Sequence, residues 1–121
     1  MNQPPSDLRT RTKTYALRII KLYQTLAKSG AAQVIGKQLL RSGTSVGAQY
    51  REACRAKSSA DFINKMEGCL QELDETAYWL ELLVDGKVIP AEKLADLQKE
   101  TEELIAIFVA SVKTAKQNKS K

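Results

Sequence analysis

Phe62, Met66, Cys69, Leu73, Thr76, Leu80 and Leu83 follow one another at alternating steps of four and three residues. An α-helix turns every 3.6 residues, so this spacing holds one stripe against a partner along the whole element. A half-buried strand would need alternation with period two, and no segment of the chain alternates over a strand's length.

Such a seam cannot be buried by one helix, so the rest of the chain has to supply its partners. Leu94, Leu97, Thr101, Leu104 and Phe108 repeat the three-four pattern, flanked by Ile105, Val109 and Val112, in a helix that begins near Pro90. Between about Leu8 and Ser29, Tyr15, Ile19, Leu22 and Leu26 share a face, with Ala16, Ile20, Tyr23 and Ala27 beside them. That double stripe is wider than one bundle core needs and leaves surface for another subunit. Ser6 and Asp7 are its N-cap candidates and Gly30 its stop. A further helix, Ala31 to Lys57, carries Ile35, Leu39, Val46 and Ala53 on one face. Ser58 and Asp61 have capping-box spacing before the heptad helix, and "DGK" ends it. Four long helices with short links predict an all-α fold, an antiparallel up-down four-helix bundle. It forms one domain over residues 1–121, with flexible ends at about 1–7 and 114–121 and "KTAKQNKSK" fraying into a basic tail.

The stretch "LLRSGTSVGAQYREACRAK" places weak helix formers inside the second helix. Each Gly costs about 1 kcal/mol of helix propensity relative to Ala. On a helical wheel Gly36, Gly43, Gly47 and Cys54 form one small-residue strip, which predicts that a neighbouring helix crosses close to Gly43 and Gly47. Arg41, Ser45 and Glu52 should then point elsewhere.

Several functions are disfavoured by what the chain lacks. It has no histidine, the commonest general base and transition-metal ligand. No cofactor, metal or catalytic residue is expected. Cys54 and Cys69 read as two small buried hydrophobes rather than a disulfide. No apolar run reaches the length of a membrane span and no signal peptide opens the chain, which predicts a cytoplasmic protein.

The charge is unevenly distributed. Residues 1–57 hold eleven Lys/Arg against two Asp/Glu, and residues 58–121 eight against twelve. Arg11, Arg18, Lys21 and Lys28 fall along one side of the first helix, and Arg41, Ser45, Ala48, Glu52 and Arg55 along one stripe of the second. Glu52 can pair with Arg55, leaving Arg41 for another partner. With Arg9, Arg51 and Lys57 these cations form a candidate phosphate-tracking surface. The alternative is a solvated face on a basic protein. Glu72 and Glu75 have no nucleophile or histidine beside them in sequence and read as a salt-bridged face. Tyr78, Trp79 and Leu82 lie off the heptad seam, which marks them, with Tyr23, as oligomer or helix-packing contacts.

"SGTSVGAQYREA" and "SSADFINKMEGCLQELDETAYWLELL" resemble the four-helix-bundle family encoded in intervening sequences of bacterial 23S ribosomal RNA genes. Ser45, Val46 and Glu52 match a phrase typical of that family, Gln49 stands where Asn is usual, and Ala53 where Gly often sits. Glu75 through Leu83 match a common version of its third helix. The resemblance implies a ring-like homo-oligomer, a pentamer, without enzymatic activity. A related branch resembles accessory proteins of diversity-generating retroelements, which bind reverse transcriptase and nucleic acid. Two functions are therefore expected. One is an RNA- or ribonucleoprotein-associated bundle using the basic surface of the first two helices. The other is a scaffold for a protein partner, or a reverse-transcriptase accessory subunit, that does not bind RNA directly.

Overall fold

The computed structural model describes residues 4–119, with side chains from Leu8 to Lys119. Four helices account for nearly all of it: α1 (Pro4–Thr25), α2 (Gly30–Cys54), α3 (Ser59–Asp85) and α4 (Ala91–Lys119). Contacts between neighbours run in opposite sequence order, which fixes the topology. Thr12, Ile19 and Leu26 of α1 meet Gly47, Gly43 and Gly36 of α2. Glu52, Val46 and Ser42 of α2 meet Lys65, Cys69 and Thr76 of α3. Arg11 and Tyr15 of α1 meet Glu103 and Thr101 of α4, closing an up-down-up-down bundle.

The expected seams form the core. Met66, Cys69, Leu73, Thr76, Leu80 and Leu83 of α3 are buried, as are Leu94, Leu97, Thr101, Leu104 and Phe108 of α4. At the start of α3, Ile63 is buried and Phe62 only packs beside the cluster, because the seam drifts by one position at the helix entry. Tyr50 and Phe108 cross the interior edge-to-face with ring centroids 5.8 Å apart. Buried hydroxyls are each satisfied. Tyr15 Oη and Thr101 Oγ1 lie 2.6 Å apart, and Ser42 Oγ and Thr76 Oγ1 2.7 Å apart.

The glycine strip does what its composition demands. A Cβ at Gly43 would stand 2.8 Å from Ile19 Cγ1, and one at Gly47 3.2 Å from Thr12 Oγ1. Ile19 is fully buried and cannot move aside cheaply, so α1 seats against the backbone of α2.

Several boundaries differ from the sequence reading. Helix α1 is already helical at Pro4, so Ser6 and Asp7 lie within it. It ends at Thr25, four residues early, and Gly30 opens α2 with φ +66 instead of stopping α1. Helix α2 ends at Cys54, three residues short of Lys57. Ser58 caps α3 by accepting the Asp61 N–H at 3.0 Å. After α3, Lys87 and not Gly86 takes the left-handed conformation, with φ 61. Helix α4 continues through Lys119, past the Val112 at which the sequence reading ends its core stripe; residues 1–3, 120 and 121 lie outside the described residues. Cys54 is exposed, contrary to its reading as a buried hydrophobe; it is the last residue of α2, at the open end of the small-residue strip. Burial pushes the Cys69 thiol up to about 12.

Candidate functional site

Three groupings of polar side chains stand out, and the antiparallel topology decides each. The first lies along the α2/α3 surface. Arg41 bonds Glu72 at 3.2 Å and Glu75 at 2.5 Å, and Gln49 Nε2 donates to Glu72 at 3.2 Å. A Cβ on Gly68 would overlap Gln49 Oε1, so that glycine lets the amide lie flat on α3. Ser45 Oγ donates to the Arg41 carbonyl at 2.7 Å and does not join the network. The hydrogen bond to Glu75 raises the Arg41 pKa. Arg41 is therefore not left open, and Glu52 pairs with Lys65 at 3.0 Å rather than with Arg55. The Glu52–Arg55 pairing fails because Lys65 on α3 competes with the partner on the same helix, whereas Arg41 finds its other partner in two carboxylates of α3. A cation already held by two carboxylates is a strut between helices.

The second grouping joins α1 to α4. Arg11 forks onto Glu100 and Glu103, with each contact at 2.7 Å, and the bond to Glu100 raises its pKa. Arg11 thus also departs from the phosphate-tracking stripe.

The third is one end of the bundle. The start of α1, the end of α2, the start of α3 and the end of α4 converge there. Residues 8–13, 47–70 and 103–119 hold ten Lys/Arg against four Asp/Glu. Residues 14–46 and 71–102 hold eight against nine. Three of the four acids at this end are taken by Arg11, Lys65 and Lys116. Arg9, Lys13, Arg51, Arg55, Lys57, Lys113 and Lys119 are exposed and have no carboxylate partner among the described residues. Lys57 shares a hollow with Ser58, Phe62, Ala115 and Asn118, which joins the α2–α3 corner to the end of α4. Lys13, Lys113 and Lys119 were missed as site residues: Lys13 lies off the stripe of Arg11 and Arg18, and the other two lie far from Arg51 in sequence. Threading four antiparallel helices would have brought them together.

Arg18, Lys21 and Lys28 are elsewhere. Arg18 and Lys21 border a cleft of about 730 Å³ between α1 and the start of α4. Lys28 sits 5.9 Å above the Tyr23 ring, which itself packs on Gly36. On the outer face of α3, Tyr78 is 52% exposed and its ring lies 5.3 Å from that of half-buried Trp79, with Leu82 also half-buried. Trp79 Nε1 is shielded from solvent and has no hydrogen-bond partner among the described residues.

Among the described residues no group of three or more His, Cys, Asp or Glu is arranged to hold a metal ion. No described helix is long and apolar enough to cross a membrane.

None of the curated proteins matches the chain. A solved structure of a protein of unknown function from the S23 ribosomal protein family, from Bacteroides thetaiotaomicron VPI-5482, superimposes with a TM-score of 0.86 at 38% identity. The match covers 92% of this chain and 99% of that one. Residues 6–110 fit the family described as 23S rRNA-intervening sequence protein. With that match spanning most of its length and the four-helix fold in place, the chain belongs to the 23S rRNA-intervening sequence protein family.

Proposed function

We propose that this protein is a cytoplasmic, non-enzymatic bundle that associates with structured RNA through its basic end. One observation carries the reading: seven exposed cations without carboxylate partners among the described residues, drawn from all three parts of the chain that converge there. Spread over one end, they suit a backbone whose phosphates recur at regular spacing, and such contacts favour shape over base sequence. Arg51 and Arg55 also sit at the C-terminus of α2, where the helix dipole favours positive charge.

Self-assembly would multiply the effect, because several modest patches on one particle engage one RNA with raised effective concentration. Tyr78 supports such assembly, since it is 52% exposed on α3 beside Trp79, which packs against the core. The deciding experiment is retention of an RNA hairpin by the purified protein across a salt series. Affinity should fall steeply as salt rises, by about 0.9 log units per log unit of salt for each duplex phosphate neutralised. Absence of retention at low salt would defeat the proposal.

A further inference from the structure

The cleft beside α1 takes no part in that reading, and its chemistry differs from that of the basic end. Helix α1 meets α2 at glycine backbone but is held from α4 by long side chains, Arg11 onto Glu100 and Tyr15 onto Thr101. Beyond Tyr15 the two helices enclose a cleft of about 730 Å³, within the size range of a binding pocket. Its floor is apolar: Leu94 and Leu97 are buried, and Leu22, Val88 and Ile89 are half-buried. Its rim is cationic. Arg18, Lys21 and Lys93 border it, no Asp or Glu lines it, and none of the three cations has an ion pair among the described residues.

We infer that this cleft is a docking groove for a helical segment of a partner protein whose apolar stripe is flanked by acidic residues. The lining residues run from Arg18 to Thr25 on α1 and from Pro90 to Leu97 on the other wall. Seven steps at 1.5 Å give roughly 10 Å, about two helical turns, the reach of apolar side chains at i, i+3 or i+4, and i+7. A nucleic-acid backbone would use the rim and leave the floor wet. A small polar ligand would find few hydrogen-bonding groups, and the Thr25 hydroxyl already donates to the Leu22 carbonyl at 2.7 Å. An acidic amphipathic helix uses both: carboxylates meet Arg18, Lys21 and Lys93, and its apolar stripe covers the floor.

The probe is a fluorescein-labelled peptide of about 18 residues, long enough to hold helix, with Leu at the groove spacing and Glu on both flanks. A second peptide has Lys in place of every Glu. Anisotropy titration against the full chain should show the acidic peptide binding and the basic one failing. Lys21→Glu with Lys93→Glu should weaken the acidic peptide by about tenfold or more. Ile89→Ser, on the connection outside the helices, should weaken it without altering the salt dependence. Equal binding of both peptides, or binding that survives the double reversal in a folded protein, would overturn the inference. So would native mass spectrometry in which Ile89→Glu splits an assembly of copies, because a second copy would then occupy the groove. Arg51→Glu, Arg55→Glu and Lys57→Glu together should leave peptide binding intact, so failure of the RNA proposal and failure of this one are read separately.

Discussion

The two ends of the bundle are made from the same four helices and differ in kind. At one end, exposed cations outnumber their acidic partners over a surface with shallow hollows. At the other, a cleft with an apolar floor opens between α1 and α4, and charges of both signs nearly balance. Read along the sequence, positive charge belongs to the first half of the chain. Folded, it gathers at one end, because antiparallel packing lays the start of α1 and the end of α2 beside the end of α4. The charge that a ligand meets is set by topology, not by sequence proximity.

The largest expected effect breaks the frame that both ends share. Gly43→Leu drives a side chain into fully buried Ile19 and should destabilise the fold by about 3 kcal/mol or more, read as a fall in urea midpoint. Gly68→Ala meets only the movable end of Gln49, so it should cost about 1 kcal/mol, the bond to Glu72 included.

Next in size is the difference between the ends. Arg51→Glu, Arg55→Glu and Lys57→Glu together should lower the log–log salt slope of RNA binding by about 3. The same reversal of Arg18, Lys21 and Lys93 should leave that slope nearly unchanged. Equal losses from the two triples would erase the distinction.

A third test concerns the thiols and the pH range. Cys54 should react with a disulfide reagent in the native protein and Cys69 only after unfolding. Burial raises Cys69 from its ordinary 9.0 to about 12 in the fold, so the neutral thiol favours the native state. Stability should hold below pH 9 and decline as pH rises from about 9 towards 12, where the unfolded chain gives up that proton first. Buried Tyr15, also shifted upward by its burial, adds to the alkaline loss. A flat melting temperature across that range would contradict the assignment. Smaller still, Lys87→Gly relieves a left-handed backbone and should add about 1 kcal/mol, seen as a rise in melting temperature.

The fold was legible because helical periodicity is local. The heptad from Met66 to Leu83 and the seam from Leu94 to Phe108 need no knowledge of their partners to be recognised, and both are buried. The small-residue strip was legible for the same reason, since Gly43 and Gly47 only make sense under a close neighbour. Pairing across helices was not. Glu52 and Arg55 are spaced to bond on one helix, yet Lys65 on α3 takes Glu52, and Arg41 reaches Glu72 and Glu75. These outcomes depend on the register between helices, which no single stripe encodes. Lys113 and Lys119 escaped notice for the same reason.

Amide chemical-shift mapping with an RNA hairpin tests the polarity of the molecule most directly. Perturbations should concentrate in residues 8–13, 51–62 and 109–119 and spare 18–25 and 88–97. Shifts centred on the cleft, or none at low salt, would contradict the account.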